Sequence, residues 1–240
     1  MEEGDRESLI AIAKILESSD RPEDMVNVIK QIIKINPELD KDERDLLAVA
    51  YKNQITPKRT CFLSLKDVIR DETESKDLGF NRISILNEVQ GKTYDEIHNI
   101  CNDLINLVSQ ELIPASQCPH SRIFYHKIIA DYYRYMCETQ ENNDKAHSIE
   151  QAQKYYENAI EISRENVPIF KPSSLELHLN YAVFLKTVEN NTEKAFHYLN
   201  DIYQECLPLL EENSEDSFYE VSSIVMLIKE NLAQWNQKCF

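Results

Sequence analysis

Only three glycines occur in 240 residues, and this scarcity narrows the folds open to the chain more than any other feature. Tight hairpin turns draw on glycine for left-handed backbone, so a strand-rich fold would run short of turn residues. Apolar residues recur at helical rather than alternating spacing almost throughout, and the expected class is all-α. Leu9, Ile12, Ala13 and Leu16 form one stripe; Arg21-Pro22-Glu23-Asp24 interrupts it and opens a second helix carrying Met25, Val28, Ile29 and Ile32. Asn36-Pro37 ends that helix, and Asp40 with Glu43 has capping-box spacing ahead of a longer third helix through Leu46 to Tyr51. The charged run Asp71 to Asp77 and a break at Gly79 precede a fourth helix through Ile97, Cys101, Leu104 and Leu107, closed by Pro114 and Pro119. Further helices are expected near 121–140, 147–165, 173–189, 192–211 and 217–235. Nine helices with short connections imply antiparallel neighbours in one continuous stack, a single domain over 1–235 followed by a short tail, 236–240.

The formal charge of −16 at pH 7 opposes nucleic acid and anionic lipid over most of the surface, leaving room only for a local basic pocket. No stretch approaches the roughly 18 apolar residues of a membrane span, and the start, Met1 to Ser8, is acidic where a secretory signal is basic and then apolar. The expectation is a cytoplasmic protein, with the nucleus also open to it, that does not insert into membranes. Six cysteines are scattered without a C-x-x-C pair, so they read as reduced packing residues; neither a metal nor a cofactor is expected.

Two pairs of cations stand out. Lys52 and Arg59 are seven apart on the third helix, and Lys127 and Arg134 are seven apart on the fifth, so each pair lies on one helical face. Tyr135 adds a hydroxyl beside Arg134, and a guanidinium with ammonium and phenol partners suits a phosphate dianion. Solvated charges at this spacing are commonplace, and on spacing alone a solvated face is the commoner outcome. A second pattern places Leu179, Asn180 and Val183 on one face and Leu227, Asn231 and Trp235 on another. Such a face is either core with a satisfied amide or a groove where asparagine pairs with a peptide backbone.

Arg44-Asp45-Leu46-Leu47-Ala48-Val49-Ala50-Tyr51-Lys52-Asn53 closely resembles the first signature of the 14-3-3 family, and Glu220 to Trp235, with Ile228-Lys229-Glu230-Asn231-Leu232, resembles the second. Ile100-Cys101-Asn102-Asp103 and Asp131-Tyr132-Tyr133-Arg134-Tyr135 fall between them in the family's order, so the resemblance covers nearly the whole chain. It implies a dimeric, cup-shaped protein with a concave groove that clamps, masks or bridges client proteins carrying phosphoserine or phosphothreonine. Carried over position by position, Lys52, Arg59, Arg134 and Tyr135 match the phosphate-binding set, and Asn180 and Asn231 the amides that hold the peptide backbone. Lys127, Leu179, Val183, Leu227 and Trp235 match groove-lining positions.

The resemblance also assigns subunit contacts to helices within 1–35 and a facing helix, giving Leu9, Ile12, Ile15, Leu16, Arg21, Asp24, Val89, Lys92 and Glu96 as interface positions. Arg21 with Glu96 and Asp24 with Lys92 match salt-bridging pairs, in a homodimer or a heterodimer with a paralogue. Several positions depart from the pattern. Leu63 replaces an arginine, Thr187 a glutamate and Ser223 a leucine, which implies a less basic, less apolar pocket with altered preference or weaker affinity. Val89 replaces a tyrosine, and Gly91 lies in the facing helix, so a looser interface is expected. Pro57, between Lys52 and Arg59, removes a backbone donor, so a bend or local unwinding is expected there, with a milder effect at Pro208.

The rival to phosphopeptide binding is a helical-repeat scaffold for unmodified peptides, suggested by Tyr155-Tyr156-Glu157-Asn158-Ala159-Ile160, which resembles a tetratricopeptide packing helix; no repeat of about 34 residues emerges. An enzyme is not expected: the chain has no phosphate loop, nucleophile elbow or zinc-protease motif, and Cys118 and His120 flank Pro119 at a helix junction without an evident third partner.

Overall fold

Proline sets three of the helix starts: Pro22, Pro119 and Pro172 each stand in a first turn, where the missing N–H costs nothing and the fixed φ suits the helix. The computed structural model describes residues 3–74, 80–212 and 218–236; the break expected at Gly79 and the tail beyond 236 lie outside them. Among the described residues there are nine helices and no strand: α1 (Glu3–Ser18), α2 (Pro22–Ile35), α3 (Lys41–Glu74), α4 (Phe80–Leu107), α5 (Pro119–Thr139), α6 (Asn142–Asn166), α7 (Pro172–Thr187), α8 (Thr192–Glu212) and α9 (Phe218–Asn236). A π turn, Val108–Leu112, and one further helical turn, Ile113–Ala115, extend α4 toward Pro114. The Ile113 N–H reaches back to the Val108 carbonyl, the wider spacing of a π turn. Where turns need left-handed backbone, this glycine-poor chain uses Asp20, Asn142 and Asn190, with φ of 52°, 53° and 58°.

The chain divides into two compact units, Met1–Ser116 and Gln117–Phe240. In the first, α2 packs on α1 and α3, and α3 on α4. Met25, Ile29, Ile32, Leu47, Tyr51, Ile55, Ile97 and Leu104 form its core. The expected capping box is present: the Glu43 N–H donates to Asp40 Oδ1 at 2.9 Å and the Asp40 N–H to Glu43 Oε2 at 3.0 Å. Glu43 does more than cap. Arg6 of α1 grips its carboxylate through Nε (2.7 Å) and Nη2 (2.8 Å), while Nη1 donates to the carbonyls of Ile32 and Asn36. A second tie joins α2, α3 and α4: Asp103 accepts from Lys30 Nζ at 2.5 Å and from the buried Tyr51 hydroxyl at 2.7 Å. Burial first, then the Asp103 hydrogen bond and charge, push the Tyr51 phenol well above its usual pKa.

In the second unit α6 packs on α5, α7 on α6, and α8 and α9 close over α7. Tyr156, Phe184, Leu199 and Trp235 are among its fully buried side chains. Helix α6 starts at Asn142, about a turn before the expected position, because the left-handed Asn142 lets the chain turn straight from α5. Of the bend or local unwinding expected at Pro57, the unwinding does not occur: α3 is helical through Pro57, as α8 is through Pro208. Around Pro57 the Thr56 hydroxyl donates to the Lys52 carbonyl at 2.7 Å and the Thr60 hydroxyl to the Thr56 carbonyl at 3.1 Å, back-bonds of the kind that favour a slight bend.

Candidate functional site

The fifth, sixth and seventh helices bring an acid, an arginine, a tyrosine and an amide to one point in the second unit. Asp131 of α5 is only 6% exposed. Its Oδ1 accepts the Tyr156 hydroxyl at 2.5 Å and Arg134 Nη2 at 3.2 Å, and the Asn180 Nδ2 amide lies 3.1 and 3.0 Å from Oδ1 and Oδ2. Lys127 Nζ stands 3.7 Å from Asp131 Oδ2 and 3.8 Å from Glu176 of α7. Burial pushes the Asp131 carboxyl up, but the charges of Lys127 and Arg134 and the hydrogen bonds of Tyr156 and Arg134 outweigh it, holding the group ionised below its ordinary pKa. Arg134 is cationic at any accessible pH: its burial is more than offset by the Tyr156 phenol and the Asp131 carboxylate.

These contacts use only part of Arg134. Nε donates to the Tyr156 hydroxyl at 3.3 Å, Nη2 to Asp131, and the guanidinium carbon lies 4.6 Å from the centroid of the Tyr135 ring. Nη1 makes no hydrogen bond or ion pair with the protein among the described residues. The amide of Asn180 is oriented in the same way. Both carboxylate oxygens of Asp131 take its NH₂, which leaves its carbonyl oxygen as the acceptor to be presented.

The other residues predicted from sequence divide between packing and exposure. Asn231 donates Nδ2 to the Leu227 carbonyl one turn earlier at 2.7 Å, and Leu227 itself is exposed. Val183 is half-buried, but Leu179 and Trp235 belong to the core of the second unit. Trp235 is 1% exposed, with Lys186 Nζ 5.1 Å from its ring, so it supports the helix behind it and offers almost no surface. In the first unit, Lys52 is exposed and Arg59 half-buried on α3, with the exposed Leu63 one turn beyond Arg59. Ile12, Ile15 and Val89 expose apolar side chains, whereas Leu9 and Leu16 are half-buried. The four interface charges have partners within the chain: Arg21 pairs with Asp24, Lys92 with Glu88 at 2.7 Å and Glu96 with Lys58 at 2.8 Å.

Sequence reading missed Asp131 and Tyr156 as parts of this cluster. The signal for the acid was present, since Asp131 precedes Arg134 by three residues and follows Lys127 by four, the spacings at which helical charges meet. Tyr156 arrives from another helix and gave no such sign.

Among the described residues the protein is of the all-helical class, with one buried acid orienting an arginine and an amide. Comparison with known proteins narrows this. The family described as 14-3-3 protein matches residues 12–236. The 14-3-3-like protein B of Vicia faba is 33% identical over 96% of this chain and 88% of its own length. The 14-3-3 protein beta/alpha-A of Xenopus laevis is 31% identical over 98% and 94%, and 14-3-3 protein zeta of Bombyx mori 32% over 96% and 92%. The chain belongs to the 14-3-3 family.

Proposed function

We propose that the protein is a phosphoserine- and phosphothreonine-dependent adaptor whose phosphate donors are Lys52, Arg59, Arg134 and Tyr135 and whose backbone-holding amides are Asn180 and Asn231. The observation that carries this reading is Arg134: a buried, permanently charged guanidinium, held on two sides, with Nη1 unengaged. A cation fixed before the ligand arrives loses little entropy on binding, which favours a compact dianion over a diffuse anionic surface. The formal charge of −16 fits a site that attracts anions locally while the rest of the surface repels them. The same reading takes 1–235 as one binding domain acting in the cytoplasm without catalysis. Among the described residues no helix is long and apolar enough to cross a membrane.

Dimerisation is part of the proposal. Ile12 and Ile15 of α1 are 43% and 62% exposed and Val89 of α4 is 41% exposed, giving apolar side chains whose cover in a dimer would supply most of the association. Light scattering at micromolar concentration should give twice the chain mass, and Ile15→Glu should halve it. The decisive experiment on function is fluorescence polarisation with an Arg-Ser-x-pSer-x-Pro peptide and its unphosphorylated twin. Phosphate-dependent binding that falls at least tenfold in Arg134→Ala supports the reading. Equal affinity for the two peptides overturns it in favour of a scaffold for unmodified segments.

A further inference from the structure

Asp131 carries the wrong charge for a place among phosphate-binding cations, yet it is the most connected side chain there. Its carboxylate meets Tyr156 from α6, Asn180 from α7, and Lys127 and Arg134 from its own helix, the last three being residues assigned above to ligand binding. At 6% exposure it has almost no surface to offer a ligand. A buried acid placed only to neutralise neighbouring charge could do so through Lys127 and Arg134 alone. The added contact to a neutral amide on another helix is left unexplained by charge.

We propose that Asp131 is the positioning residue that couples the phosphate-binding guanidinium to the backbone-binding amide, orienting Arg134 and fixing which end of the Asn180 amide faces a ligand. This rests on the functional reading above and deepens it. A carboxylate only accepts hydrogen bonds, so of the two ends of the Asn180 amide only the NH₂ can face it. The carbonyl oxygen is thereby presented as an acceptor for a peptide N–H, and the reversed amide, which would present a donor, is excluded by repulsion between oxygens. On the other side, the bond from Arg134 Nη2 to Asp131, with that from Nε to Tyr156, leaves Nη1 as the edge that meets an anion. Because Tyr156 donates to the same carboxylate oxygen that takes Arg134 Nη2, and accepts from Arg134 Nε, the guanidinium is fixed by a closed triangle of three side chains. Phosphate binding and backbone binding thus share one anchor, so a change at Asp131 should be felt by both.

The test uses Asp131→Asn, which keeps the shape but makes either orientation of Asn180 acceptable, read in two ways. By side-chain amide NMR, the Asn180 NH₂ pair should exchange slowly with solvent in the wild type and faster, with shifted resonances, in the variant. In fluorescence polarisation with the phosphopeptide, Asp131→Asn should bind at least tenfold more weakly, and Asn180→Ala should cost several-fold less in that background than in the wild type. Tyr156→Phe guards against a variant that fails to fold: it removes one oxygen and should weaken phosphopeptide binding three- to tenfold in a protein that still melts cooperatively, a few degrees lower than the wild type. Unchanged Asn180 resonances in Asp131→Asn, independent multiplication of the two losses, or wild-type affinity in folded Tyr156→Phe would each overturn the coupling. Wild-type protein that ignores the phosphate would instead remove the adaptor reading, while the NMR result would still decide whether Asp131 sets the Asn180 amide.

Discussion

Lys52 with Arg59 in the first unit and Lys127 with Arg134 in the second are matching pairs by sequence, each a lysine and an arginine two helical turns apart, yet the fold treats them differently. The first pair rides on α3 across Pro57, with Lys52 exposed and Arg59 half-buried. The other is drawn inward, and the side chains of Lys127 and Arg134 are only 19% and 11% exposed beside Asp131. Spacing sets the face a charge lies on; the acceptors supplied by neighbouring helices decide whether it can be buried there. A buried cation is oriented and costly to disturb, while an exposed one such as Lys52 adapts and contributes little to stability.

The sharpest way to break the comparison is to remove the two arginines in turn. Arg134→Ala takes from the buried Asp131 one of its two nearby cations and one of its donors, so urea denaturation at pH 7 should show a loss of about 3 kcal/mol. The next effect is one of acidity. His126 and His178 in the second unit are each held at a pKa of about 4, by burial first and then by the charges of Arg122 and Arg164 respectively. The unfolded chain therefore takes up these protons first, near the ordinary 6.5. Stability is complete above that pH and is lost as it falls toward 4, by up to about 3 kcal/mol per ring at about 1.4 kcal/mol for each tenfold difference in proton affinity. Denaturation midpoints at pH 7 and pH 5 check this, and His178→Asn should flatten the dependence.

Arg59→Ala should separate binding from folding. Phosphopeptide affinity should fall about tenfold, and loss of the half-buried Arg59 should cost less stability than loss of the more deeply buried Arg134. A stability loss matching that of Arg134→Ala would erase the contrast between the pairs. The smallest effect is expected at Pro57→Ala, which restores a donor to the Asn53 carbonyl and should stabilise α3 by about 1 kcal/mol, measured as a rise in melting temperature, without changing affinity.

What was legible in the sequence was local. Proline at the start of α2, the capping pair Asp40 and Glu43, and the apolar stripes all act within a turn or two, so they leave a local trace; Pro119, read as the close of α4, in fact opens α5. The cation positions could be read as well, through motif order. The ties that cross between helices could not: Arg6 to Glu43 spans 37 residues, Tyr51 to Asp103 spans 52 and Asn180 to Asp131 spans 49. A hydrogen bond between distant residues has no period, and a buried acid resembles a solvated one until its donors are in view. Pro57 shows the limit of a local rule, since α3 is helical on both sides of a residue that penalises helix.

Arg6 gives the first helix a weight out of proportion to its exposed surface. Because the guanidinium closes on a Glu43 that is only 3% exposed, and on the carbonyls that end α2, the opening residues act as the keystone of the turn into α3. A version of the protein shortened past residue 6 would keep every proposed ligand-binding residue and still bury a carboxylate with its cation gone. Loosening would then begin at the head of α3, the helix that carries Lys52 and Arg59, so trimming one end of the chain would be felt as softened recognition rather than as a lost contact.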